Sequence, residues 1–185
     1  MKIRFEIVTQ LYIKAFLKSD SNQIEIAHSG VLNDGFQNLL TSLFHIYHFV
    51  NEKQESFFPY NSCIKWEDDF IEYLWSISMS SIDSSIQFKI IKTSTGNPNY
   101  KETLWDNMVV FNDLFDNIFL SLDNIYKDFG LIGYKRIWEV GNFPVCEYLL
   151  LKANRENYIL NEMETNEENE WKHKIHRENE LFLLK

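Results

Sequence analysis

The sequence predicts an α+β domain in which a four-stranded antiparallel sheet, made of two hairpins, carries helices on one face in the order ββαββαα. Three observations predict it. Apolar and polar residues alternate over 2–18, 23–28, 71–79 and 86–90; apolar residues recur at spacings of three and four over 34–50, 103–129 and 143–154; and turn-forming residues separate the hairpin strands. At 185 residues, 45% of them hydrophobic and 16% aromatic, the chain holds enough apolar surface for one core. The domain is expected over 1–155, followed by an acidic, partly helical tail over 156–185.

From Lys2 to Lys18 the odd positions read Ile3, Phe5, Ile7, Thr9, Leu11, Ile13, Ala15 and Leu17, and the even ones include Lys2, Arg4, Glu6, Gln10 and Lys14. A period of two over this length predicts one long strand with one buried face. Ser19-Asp20-Ser21-Asn22 supplies a turn, and Ile24 and Ile26 resume the alternation to complete a hairpin. Asn33-Asp34-Gly35 offers a helix start, after which Phe36, Leu39, Leu40, Leu43, Phe44 and Tyr47 form one apolar face to about Val50.

A polar connection over 51–62 leads to the second hairpin, where Ile71, Tyr73, Trp75, Ile77 and Met79 alternate with Glu72, Ser76 and Ser78, and Ile86, Phe88 and Ile90 with Gln87 and Lys89. Thr103–Phe129 follows as a long helix at 100° per residue. Leu104, Met108, Phe111, Phe115, Ile118, Leu122 and Ile125 share one side, Glu102, Asp106, Asp113 and Asp128 lie opposite with Asp116 and Asp123 on the shoulder, and Gly130 is a C-cap. Residues 131–141 hold no period. Asn142-Phe143-Pro144 opens a last helix to about Asn154.

Charge and cysteine content bound the function. Eighteen Lys+Arg against 27 Asp+Glu give a net charge of −9, which argues against nucleic acid or an anionic membrane as the main partner, since phosphate binding needs clustered cations. Glu6, Thr9, Gln10 and Lys14 interrupt any leader-like apolar run, and no stretch has the length of a membrane span, so a cytoplasmic protein is expected. Cys63 and Cys146 form no CxxC pair and read as two buried free thiols.

Each constellation that would carry catalysis lacks a part. His45 and His48, like His173 and His176, stand at i, i+3 without the intervening Glu and third ligand of a zinc helix. Glu67, Asp69, Glu72 and Lys89 around the second hairpin suggest a metal-dependent hydrolase or nuclease, but Gln87 occupies the place of the second carboxylate. The serines at 76–85 have neither a nucleophile elbow nor a base, and the six glycines form no phosphate loop. No catalytic residue, metal or cofactor is assigned.

The remaining signal is acidic. Asp106, Asp113, Asp116 and Asp123, with Glu67, Asp68 and Asp69, are expected to meet a cationic macromolecule, steering it electrostatically while aromatic anchors supply affinity. An adaptor subunit docking through its tail is the third alternative, beside the hydrolase.

In its small size and acidity, and in the stretch Gly133-Tyr134-Lys135-Arg136-Ile137-Trp138 through Phe143-Pro144 and Leu149-Leu150-Leu151-Lys152, the chain resembles the immunity proteins of bacterial toxin systems, including contact-dependent inhibition. The resemblance implies a non-enzymatic protein that binds a cognate toxin, often a nuclease, and blocks it stoichiometrically. It transfers no site residues.

Overall fold

The computed structural model describes residues 2–10, 12–20, 22–29, 34–139, 141–156, 161–165, 171–175 and 184, with the backbone alone for 98, 161–165 and 171–175. It is an α+β structure. The chain divides into two compact units, Met1–Phe143 and Pro144–Lys185.

The first unit contains two antiparallel sheets in place of the expected single one. One is β1 (Lys2–Thr9), β2 (Tyr12–Lys18) and β3 (Gln23–Ser29), in that order; the other is the meander β4 (Tyr60–Asp68), β5 (Ile71–Met79), β6 (Ile86–Ser94) and β7 (Asn97–Val109). The expected long first strand is a hairpin. Its register pairs Ile3 with Leu17, Phe5 with Ala15 and Ile7 with Ile13, odd against odd, so the alternation runs unbroken through the reversal and hides the turn. β4 lies inside what reads as a polar connection and strand lead-in, because only Ile64 and Trp66 are buried on its inward side.

Helix α1 (Gly35–Asn51) forms where expected, and Phe36, Leu39, Leu40, Leu43, Phe44 and Tyr47 are all buried. Asp34 caps it: the carboxylate Oδ1 accepts from Gln37 N–H at 3.1 Å. A β-carbon on Gly141 would lie 2.2 Å from Asp34 Oδ2, so Gly141 is the residue that leaves room for the cap. Gly141→Ala is expected to displace Asp34 and lower stability by about 1–2 kcal/mol, read from urea unfolding midpoints; an unchanged midpoint would show that the cap side chain has another place to go.

The segment expected to be one helix over 103–129 is divided. Its first part belongs to β7, with Trp105 and Val109 buried and Asp106 and Met108 facing outward. Helix α2 spans Phe111–Ile137 and is broken at Gly130, whose φ of 61° and ψ of −179° lie in a region open essentially to glycine alone. The expected C-cap glycine therefore ends one helical piece, and a second piece follows it through the segment that showed no period.

Core packing is aromatic. Phe5 of β1 meets Phe36 of α1 edge-on at 5.1 Å; Trp66 and Trp75 lie 4.6 Å apart; and Tyr47 of α1 contacts Phe115 of α2 at 5.0 Å. His28, fully buried on β3, joins the sheets. Its Nε2 accepts from Gly35 N–H at 3.0 Å, and Nδ1 lies 3.3 Å from both the N and the O of Glu67. A neutral ring whose Nε2 accepts carries its proton on Nδ1, so the bond to β4 is Nδ1–H donating to the Glu67 carbonyl. Trp66 stacks on the same ring at 5.0 Å and donates Nε1–H to the Gly35 carbonyl at 2.8 Å.

In the second unit, α3 (Val145–Arg155) matches the expected last helix to within two residues. Where a partly helical tail is expected, β8 (Asn161–Thr165) and β9 (Trp171–Ile175) pair antiparallel. His173 falls in β9, described by its backbone alone, and His176 lies outside the described residues. No helix among the described residues is long and apolar enough to cross a membrane. Both cysteines, expected to be buried, are free and exposed; Cys63 sits on the outward side of β4, between the inward Ser62 and Ile64.

Candidate functional site

The residues expected to bind a partner fall on three surfaces. Asp106 leaves the helix stripe, because it belongs to β7 and lies opposite Lys89 on the outer face of the second sheet, in a 3.0 Å ion pair; Gln87 donates to the same carboxylate. Glu67 and Glu72 face each other on β4 and β5, and the Lys65 ammonium bridges them at 2.6 Å each. Hydrogen bonds to Glu67 and then Glu72 hold the Lys65 pKa above its ordinary value.

This bridge bears on the hydrolase reading. The two carboxylates converge on an ammonium, and Lys89 is occupied by Asp106 on another rung of the same face. No group of three or more His, Cys, Asp or Glu side chains that could hold a metal ion occurs among the described residues. His45 and His48 are exposed on α1.

The second surface is the tip of the β4–β5 hairpin. Asp68 and Ile71 are the last opposed pair, leaving a two-residue loop of Asp69 and Phe70, with Asp69 in the left-handed region at φ 50°. Aspartate tolerates that conformation. Phe70 is 77% exposed, and its carbonyl accepts from Thr95 N–H at 3.0 Å and from Thr95 Oγ1 at 3.3 Å, tying the tip to the β6–β7 turn. Asp68 accepts from the Tyr12 hydroxyl at 3.3 Å. Neither Asp68 nor Asp69 has an ion-pair partner among the described residues.

Burial, then the nearby Asp68 and Asp69, push the Tyr12 phenol up; burial and then Asp68 do the same for Tyr73, and burial and then Asp34 for Tyr134. A phenol raised in the folded state holds its proton where the unfolded chain has lost it. Stability is therefore fully present below the unfolded value of about 10 and declines as pH rises above it, by up to about 1.4 kcal/mol per pH unit for the buried Tyr134 and by less for Tyr12, whose charge solvent screens. Urea midpoints are expected to hold from pH 7 to 9 and fall beyond about pH 10, with a shallower fall in Tyr134→Phe.

The third surface is the solvent face of α2, opposite the buried Leu114, Phe115, Ile118, Phe119, Leu122 and Ile125. Asp113, Asp116 and Asp128 are exposed there, and the half-buried Asp123 pairs with Lys127 one turn on, at 2.6 Å. Asp113 also complements the positive end of the helix. Leu120, 47% exposed, stands among these aspartates. Near the helix start, Lys2, Lys18, Asp20, Asp113, Asn117 and Leu120 line a cleft of about 590 Å³.

Sequence reasoning missed Phe70 and Leu120 as anchors; it places Asp128 on the acidic side of 103–129 without counting it among the partner-binding residues. An aromatic in a two-residue hairpin loop is a detectable signal, since such loops otherwise favour Gly, Asn and Asp. Compared with protein families, curated proteins and solved structures, the chain matches none.

Proposed function

We propose that this chain is a non-enzymatic binding protein that engages a cationic protein surface, in the manner of the toxin-immunity proteins it resembles. The observation that carries this reading is the solvent face of α2, where Asp113, Asp116 and Asp128 stand exposed around Leu120. Carboxylates set around an accessible apolar side chain match how specific interfaces are built: the charges raise the encounter rate and select the partner, and the apolar contact holds it. The Asp68-Asp69-Phe70 tip repeats the combination at a second place.

Asp106 leaves the interface in this reading, since Lys89 already neutralises it, and the acidic face is bordered at its start by Lys2 and Lys18. Co-expression with the products of the neighbouring reading frames tests the proposal. The expected result is a one-to-one complex that suppresses the partner's toxicity and whose association slows as salt is added. A complex whose association ignores salt contradicts it.

A further inference from the structure

The geometry points to the free edge of β1 beside α2 as a strand-acceptor groove, where an extended cationic segment of a partner pairs with the main chain at Phe5–Ile7. This inference rests on the proposed cationic protein partner and adds how that partner is held.

Among the described residues, β1 pairs with β2 on one side only. On its other side Ser121 of α2 takes the place of a neighbouring strand, its Oγ accepting from Phe5 N–H at 3.3 Å and donating to the Ile3 carbonyl at 3.4 Å. The N–H and C=O of one residue in an antiparallel strand point the same way, and alternate residues share that direction. Phe5 and Ile7 therefore aim their main-chain groups at the edge, as Ile3 does. Beyond Ser121, the Phe5 C=O and the Ile7 N–H and C=O have no hydrogen-bond partner among the described residues.

They face a cleft of about 370 Å³ between the strand and the helix. The buried Phe5, Ile7 and Ile125 and the half-buried Phe129 line it together with the exposed, polar Arg4, Glu6, Asn124 and Asp128. Main-chain groups of this kind are costly to leave unpaired, and an unpaired strand edge is a template for another strand. Adding a strand satisfies them, with alternate side chains providing selectivity.

The occupant follows from the charges. Asp128 is exposed and has no ion-pair partner among the described residues, while Arg4 on the opposite wall is already paired with Glu6 at 3.2 Å. A segment alternating apolar and basic residues sets an apolar side chain against Ile7, Ile125 and Phe129 and a Lys or Arg against Asp128. The Asn124 amide is placed to meet its main chain. An acidic segment would be repelled by Asp128 and by the net charge of −9.

The test titrates the full chain with three synthetic hexapeptides: alternating Lys-Val, the same peptide N-methylated at every second residue, and alternating Glu-Val. Affinity is read by calorimetry and edge pairing by hydrogen exchange of the Ile7 amide. The expected result is binding of the Lys-Val peptide with slowed Ile7 exchange, about tenfold weaker binding after N-methylation, and weaker binding to Asp128→Lys. Equal affinity of the N-methylated peptide, or unchanged Ile7 exchange, overturns the strand groove and leaves the cationic-partner reading intact. Equal binding of the Glu-Val peptide counts against that broader reading. An Ile7 amide already protected in the free chain, by its own tail or by a second copy, overturns the groove as well, and so does failure of every peptide to bind.

Discussion

Replacing His28 by alanine is expected to destabilise the first unit by about 4 kcal/mol, the range for deleting a large buried ring together with its hydrogen bonds. The ring is fully buried, stacked on Trp66, and bonded at both nitrogens to main chain of other elements, α1 at Gly35 and β4 at Glu67. Alanine would leave a cavity beside Trp66, would remove the acceptor of the buried Gly35 N–H and would remove the His28 donor to the Glu67 carbonyl. Gly35 is the first residue of α1, and its N–H is one of the donors a helix cannot satisfy internally. His28→Gln, which can still offer an acceptor toward Gly35, should recover part of the loss. Guanidinium unfolding followed by tryptophan emission gives the comparison; a loss below about 1 kcal/mol would mean that the sheets are held together elsewhere.

The same residue shows what the sequence left open. Ile3 through Leu17 announce a buried β face, but that pattern is identical for one long strand and for a hairpin that pairs odd residues with odd ones. Helix α1 was legible because capping chemistry at Asp34 and a 3.6-residue period agree. At 103–129 they did not agree. Leu104 and Met108 are four apart, which suits two strand repeats nearly as well as one helical turn, and the resolving clue lay in the neighbouring strand, where Lys89 and Lys92 stand opposite Asp106 and Glu102. Charge pairing across a sheet is not visible until the register is known. Asp113, Asp116, Asp123 and Asp128 lie on one helix, as their spacing predicts, whereas Asp106 belongs to β7. His28 gave no signal at all, since its role depends on Gly35 and on Glu67, which lies 39 positions away.

Charge reversal on α2 carries the second large effect. Asp113→Lys/Asp116→Lys turns two carboxylates of the first turns of α2 into ammonium groups, the one at 113 sharing a cleft with Lys2 and Lys18, so the start of the helix becomes cationic. Steering contributes about 10- to 1000-fold to association rates at low ionic strength, and a change of four charges at an interface should remove at least the lower end of that range. A lysine at position 113 also opposes the helix dipole, at about 0.3–1 kcal/mol. Asp113→Asn/Asp116→Asn separates the two effects, because it removes the attraction without adding repulsion and should fall between wild type and the reversal.

Stopped-flow association of the wild-type chain and the two double variants with the co-expressed partner, at low and high salt, tests the central claim most directly. The account predicts rates in the order wild type, Asn variant, Lys variant at low salt, spread over about tenfold or more and converging as salt screens the charges. Identical rates for all three at low salt would contradict it.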